Sequence, residues 1–273
     1  MDATELFHRD GDQWVPTELS RGPWDRRHCH GGPVSALLVR AVERVPVDGP
    51  APASDRDIWQ LARCTIELTR PVPVLRPLAL DTVVERPGRK VSLVAAVLRD
   101  GDTDVAHIRA LRIRREAVAV PAAAHLAPAV PLAPPERATT ERMTFAPGEE
   151  TAFHRDACEH RFLTGSWLEP GPVEVWIRLL APVVAGEEPS GAQRAAAAAD
   201  FGNGVSGSLP HDRYLYINPD LTLHLLRPVV GEWIGMRTAS WYGDLGAGLA
   251  ESALFDVAGR VGRSCQSLLV EER

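Results

Sequence analysis

Cys64-Thr65-Ile66-Glu67-Leu68-Thr69-Arg70-Pro71 alternates apolar and polar side chains up to an arginine–proline corner. Asp220-Leu221-Thr222-Leu223-His224-Leu225 alternates in the same way and leads into a second such corner, Arg227-Pro228. Period-two alternation puts successive side chains on opposite faces and marks a half-buried strand. Laying one corner on the other gives an offset of 157 residues, and that offset also brings Val105 within one residue of Val261. The chain reads as two halves of like construction.

Working outward, each half opens with a tryptophan-bearing strand, Asp12-Gln13-Trp14-Val15 in the first and Val173-Glu174-Val175-Trp176-Ile177 in the second. A helix follows in each. Val34, Leu37, Leu38, Ala41, Val42 and Val45 recur at helical spacing behind Pro33, which suits a first helical position. The alanine-rich run Ala192–Phe201 has Ser190 as a cap and Gly202 as a stop. Each half closes in a hairpin, one turning at Asp100-Gly101 and the other near Gly259. The expected fold class is α+β, a long helix lying on an antiparallel sheet, twice. The prolines between about 116 and 150 cannot supply ladder donors, so that stretch reads as an extended linker over the surface. The expected domains are 1–116, a linker 117–150, and 151–273.

Composition excludes several classes. The 273 residues are 45% hydrophobic and carry a net charge of −6, with no basic run to track a nucleic-acid backbone. No apolar run approaches the roughly 20 residues that span a bilayer. Cys29, Cys64, Cys158 and Cys265 are scattered without a metal or disulfide spacing. The expectation is a cytoplasmic protein without metal or cofactor.

Polar residues on the second half's strands form the candidate site. Asp220, Thr222 and His224 share the face opposite Leu221, Leu223 and Leu225. Ser240 and Thr238 share a face of the next strand, and Gln266 lies on the last. The matching positions of the first half, Arg63, Val83 and Ala110, could not reproduce a carboxylate–hydroxyl–amide group. Such a group could activate and orient a water. His30-Gly31-Gly32-Pro33 opens the first helix, where free backbone N–H groups and the helix dipole could receive an oxyanion.

These residues carry a resemblance. His30-Gly31-Gly32-Pro33-Val34, Arg86-Pro87-Gly88-Arg89, Ala199-Asp200-Phe201-Gly202-Asn203-Gly204, Asn218-Pro219-Asp220-Leu221-Thr222, Gly262-Arg263-Ser264-Cys265-Gln266 and the two Arg-Pro corners occur in the order found in the double-hotdog acyl-CoA thioesterases. The chain resembles that family, in particular its bacterial thioesterase II type. The resemblance implies a tandem hotdog fold and metal-free hydrolysis of a fatty acyl-CoA to the acid and CoA. It implies catalytic roles for Asp220 and Gln266, with Ser240 or Thr238 in the place of the family's usual threonine. His30, Gly31 and Gly32 are the oxyanion or substrate-binding candidates. Arg86, Arg89 and Lys90 are the cations offered to CoA. A homodimer or higher assembly is expected, because exposed sheet edges tend to be covered. Two other readings stay open, an acyl-CoA-binding hotdog protein without turnover and a hotdog enoyl-CoA hydratase using Asp220 and His224.

Overall fold

The computed structural model describes residues 4–46, 58–121, 130–143 and 151–273. The first half holds a small hairpin, β1 (Phe7–Asp10) and β2 (Gln13–Pro16), then α1 (Gly31–Arg44) and four strands, β3 (Trp59–Glu67), β4 (Ala79–Arg86), β5 (Val91–Asp100) and β6 (Thr103–Arg114). The second begins with β7 (Thr139–Glu141), β8 (Cys158–Thr164) and β9 (Val173–Leu179), then α2 (Gly191–Ala199) and the single turn α3 (Gly202–Val205). It ends with β10 (Tyr214–Ile217), β11 (Asp220–Leu225), β12 (Trp233–Tyr242), β13 (Ala247–Asp256) and β14 (Gly259–Glu272).

Apart from the β1–β2 hairpin, the strands form one antiparallel sheet in the order β4-β5-β6-β3-β11-β14-β13-β12-β9-β8-β7, with β10 also on β14. The halves meet where β3 pairs with β11, and Thr65 lies directly opposite Thr222. Those two threonines are also equivalent under the repeat, 157 residues apart, so a pseudo-twofold axis passes between them. The tandem hotdog architecture follows: two sheets continuous across one seam, with both helices on the leucine face.

The helices run antiparallel to each other. Glu43, near the end of α1, accepts from Ser190 Oγ at 2.8 Å and Gln193 Nε2 at 3.0 Å at the start of α2. Burial pushes the Glu43 carboxyl up from its ordinary pKa. Arg112 of β6 donates to the carbonyls of Val42 at 2.8 Å and Val45 at 2.9 Å, satisfying acceptors that α1 leaves open at its end. The five alanines 195–199 are buried and let the helices approach closely. A methyl group on Gly32 would lie 2.8 Å from the Ala197 carbonyl oxygen and 2.7 Å from the Phe153 ring.

The expected linker is more structured than its prolines imply. Residues 117–121 are exposed and irregular, but Leu132 packs with Trp176 and Phe255, and Thr139–Glu141 is an edge strand paired with β8. Most of the described residues 130–143 are nevertheless exposed, with Leu132, Pro135 and Met143 as the buried points. The prolines avoid the paired residues, which is why an edge strand was possible. Pro128 and Pro147 lie outside the described residues. The strand β3 stops at Glu67, short of the Arg70-Pro71 corner.

Candidate functional site

The antiparallel helix pair brings the N-terminus of α1 to the C-terminus of α2, and a buried carboxylate stands at that meeting point. Asp200 is the C-cap of α2 and is 3% exposed. Its Oδ2 lies 2.7 Å from His30 Nδ1, and its Oδ1 accepts from Asn218 Nδ2 at 2.8 Å. Gln266 Nε2 donates to the Asp200 carbonyl at 3.1 Å, and Gln266 Oε1 accepts from the Asn203 N–H at 3.1 Å. The glutamine thus clamps the α2–α3 junction from β14. Gly31 borders the carboxylate so closely that a methyl group there would be 2.6 Å from Asp200 Oδ1.

Each partner has a local reason for its place. His30 is extended at the N-cap of α1, with its Nδ1 also 3.1 Å from the Gly32 N–H. A nitrogen 2.7 Å from a carboxylate oxygen needs a proton between them, so Nδ1 donates to Asp200 and the Gly32 N–H is left to another acceptor. Phe153 and Phe201 stack with centroids 5.5 Å apart, and both rings contact His30, at 5.1 and 4.7 Å. Asn218 precedes β11 on the Asn218-Pro219 turn. The α2 dipole opposes a negative charge at its C-cap, while the α1 N-terminus beside it favours one.

The site departs from the sequence reading in its carboxylate. Leu223 of β11 sits opposite Ser264 of β14, so Gln266, two residues on, shares the buried leucine face. Asp220 alternates with the leucines and lies on the other side of the sheet, where its Oδ1 accepts from the Ser267 N–H at 2.6 Å. Asp220 and Gln266 therefore do not meet, and Asp220 is corrected as a site residue. His224, on the same outer face, is exposed.

Ser240 is on the site's face: Ser240, Ala250 and Gln266 are directly opposed across β12, β13 and β14. Its hydroxyl bonds to Ser206 Oγ at 2.7 Å, and Ser206 in turn donates to the Gly202 carbonyl at 2.7 Å. Through Ser206 it supports the α3 turn that follows Asp200. Thr238 is buried in the next row with no partner on its hydroxyl. The polar group beside the carboxylate is the Asn218 amide. Sequence reasoning missed Asp200 and Asn218, although Asp200 follows five buried alanines, a position where an acid needs a reason to be.

Behind His30 lie two more buried imidazoles. His160 is 4.7 Å from Phe201 and 4.9 Å from Trp167, centroid to centroid. Burial pushes both His154 and His160 down to about 3, so both are neutral. Among the described residues no group of histidine, cysteine, aspartate or glutamate converges as a metal site, and no helix is long and apolar enough to cross a membrane.

Comparison with known proteins agrees across the chain. The family model for the acyl-CoA thioesterase N-terminal domain matches residues 20–113, and that for the C-terminal domain matches residues 128–270. No curated protein matches. Among solved structures, a tesB protein of Mycobacterium avium subs paratuberculosis superposes with a TM-score of 0.67 at 18% identity, covering 98% of this chain and 96% of that one. An acyl-CoA thioesterase II, TesB2, of Mycobacterium marinum gives 0.66 at 15% identity over 98% and 96%. A hot dog fold protein of Alicyclobacillus acidocaldarius gives 0.69 at 17% identity over 100% and 97%. At these identities the likeness to solved structures is one of fold.

Proposed function

The chain belongs to the acyl-CoA thioesterase family, and we propose that it hydrolyses a fatty acyl-CoA to the free acid and CoA with Asp200 as general base. One observation carries the choice of base: Asp200 is a buried carboxylate fixed by His30 on one oxygen and Asn218 on the other, beside the N-terminus of α1. A water beside the carboxylate passes its proton to Asp200 as it attacks the thioester carbonyl. The C=O electron pair moves onto oxygen, and the N–H groups of Gly31 and Gly32 with the α1 dipole hold that charge. When the tetrahedral intermediate collapses, the C–S bond breaks and the thiolate of CoA leaves, taking the proton back from Asp200. His30 keeps the carboxylate oriented. Gln266 fixes the α2–α3 junction, so the base and the water do not drift.

We also propose that the protein is cytoplasmic and homo-oligomeric. The unpaired thiols of Cys29, Cys64, Cys158 and Cys265 suit a reducing compartment.

The test is thiol release from a series of acyl-CoAs. Replacing Asp200 with Asn keeps the shape but removes the base, and the rate should fall by about 10²–10⁴-fold. A folded Asp200→Asn protein that turns over at the parent rate would end the assignment.

A further inference from the structure

Hydrolysis at Asp200 leaves a set of buried polar groups unused. Among the described residues of the second half, the buried side-chain polar atoms without a hydrogen-bond partner are both ring nitrogens of His154, Nε2 of His160, Nε1 of Trp167 and the hydroxyl of Thr238. His154 and His160 are 1% exposed and Thr238 is 2% exposed. A buried donor or acceptor without a partner forfeits its hydration, so native interiors hold few of them. Here four side chains share the condition, and they gather around one phenylalanine ring.

That ring is Phe201, which follows Asp200 in the chain. Its centroid is 4.7 Å from His30, 4.7 Å from His160 and 6.3 Å from Trp167. His160 and Trp167 also meet edge to face at 4.9 Å. His154 follows Phe153, whose ring stacks on Phe201 at 5.5 Å. Charge on His30 or His154 would act on His160, so the three imidazoles are neighbours. Thr238 approaches from the sheet. It pairs with Val173 of β9, and Gly165, two residues before Trp167, lies so near Val173 that a methyl group there would be 2.6 Å from it. Trp167 is the partly exposed member, and its backbone N–H donates to Glu141 at 3.2 Å. The cluster therefore starts beside the base and ends at the loop between β8 and β9.

We infer that the acyl chain runs from Asp200 along Phe201 to these groups, and that they select acyl groups carrying a hydroxyl or keto oxygen in mid-chain. The inference rests on the thioesterase reading. The chemistry of the four groups matches such an oxygen. A neutral imidazole offers one N–H and one lone pair, an indole N–H only donates, and a threonine hydroxyl does either. A mid-chain hydroxyl can accept from Trp167 and donate to an imidazole, and a keto oxygen can accept from both. A hydrocarbon chain offers neither and keeps every one of these groups unpaired in the complex. Selection of this kind is steep, because a site built to hydrogen-bond a polar group rejects the analogue that lacks it. The position follows from the spacing. The two contacts of 4.7 Å that lead from His30 through Phe201 to His160 match roughly five to seven carbons of an extended chain, at about 1.3 Å each. An oxygen next to the thioester would fall short of them.

The experiment moves a hydroxyl along one chain. Thiol release is measured for octanoyl-CoA and its 3-, 5- and 7-hydroxy forms, with the whole protein and its His160→Phe and Trp167→Phe variants. In the parent, kcat/KM for the 5- or 7-hydroxy form should exceed that for octanoyl-CoA by about tenfold or more. The readout in the variants is that ratio. Phenylalanine keeps a ring in place and removes the nitrogen, so the preference should collapse in at least one variant, whereas a packing role would lower both substrates and leave the ratio as it was. A parent that handles octanoyl-CoA as well as every hydroxylated form, or that peaks at the 3-hydroxy form, overturns the inference. So does a preference that persists in both variants. Should neither variant fold, the parent's profile along the chain decides. If no thioester is cleaved, the thioesterase reading falls and titration calorimetry with the same four compounds takes over. Binding at least tenfold tighter for a mid-chain hydroxyl supports the selection, and equal binding or none overturns it.

Discussion

His154 and His160 couple the stability of the aromatic cluster to pH. Both are buried, and burial holds both near pKa 3, against about 6.5 in an unfolded chain. Between those values the unfolded state binds protons that the native state refuses, so stability falls as pH drops below about 6.5 and continues to fall towards 3. At pH 5 each imidazole should have removed about 2 kcal/mol relative to neutral pH. Urea unfolding at pH 7 and pH 5 checks this, and His154→Leu/His160→Phe should flatten the difference. The two aspartates offer a second contrast. Asp220→Ala loses one bond, to the Ser267 N–H, and should cost about 1 kcal/mol while leaving turnover unchanged. Inactivity of that variant would return the role to Asp220. The alternation in β11 correctly separated Asp220 from the leucines. It did not say which face the helices cover, and Gln266 turned out to share the leucine side. Asp200 was hidden differently: its three partners come from positions 30, 218 and 266, and no local pattern joins them.

At the scale of elements, the α1–α2 contact sets the geometry around Asp200. Gly31 and Gly32 are adjacent yet guard different things. A methyl on Gly32 meets the Ala197 backbone at 2.8 Å, so Gly32→Ala forces the helices apart and should cost about 1–3 kcal/mol, seen as a lower Tm. A methyl on Gly31 meets the Asp200 carboxylate itself at 2.6 Å. Gly31→Ala should therefore lower kcat by more than its effect on Tm accounts for, and equal behaviour of the two variants in both assays would contradict this division. The long elements were legible: β11 matches its alternating stretch end to end, and the β5–β6 hairpin turns at Asp100-Gly101, with Gly101 at φ +59°. The strand β8 was not. Cys158, His160 and Phe162 are its buried residues, and a histidine in the middle of the inward row breaks the apolar pattern on which such readings depend.

Across the whole molecule, duplication explains why a single site exists. The seam pairs β3 with β11 about an axis between Thr65 and Thr222, so the helices lie side by side and each end of the pair is formed by both halves. At one end Glu43 meets Ser190 and Gln193, a structural lock; at the other His30 and Gly31 meet Asp200. The first half contributes the orienting imidazole and the α1 N-terminus, and the second contributes the carboxylate and both amides. Neither half should then hydrolyse a thioester alone. Splitting the chain between residues 121 and 130 and producing each piece separately should give no turnover, because the second piece keeps Asp200 and Gln266 but loses His30 and the glycines. Producing the pieces together should restore turnover, since re-forming the β3–β11 ladder buries the leucine face that each piece alone leaves open. Activity in the second piece by itself would mean that the base works without its imidazole, and that α1 serves packing rather than chemistry.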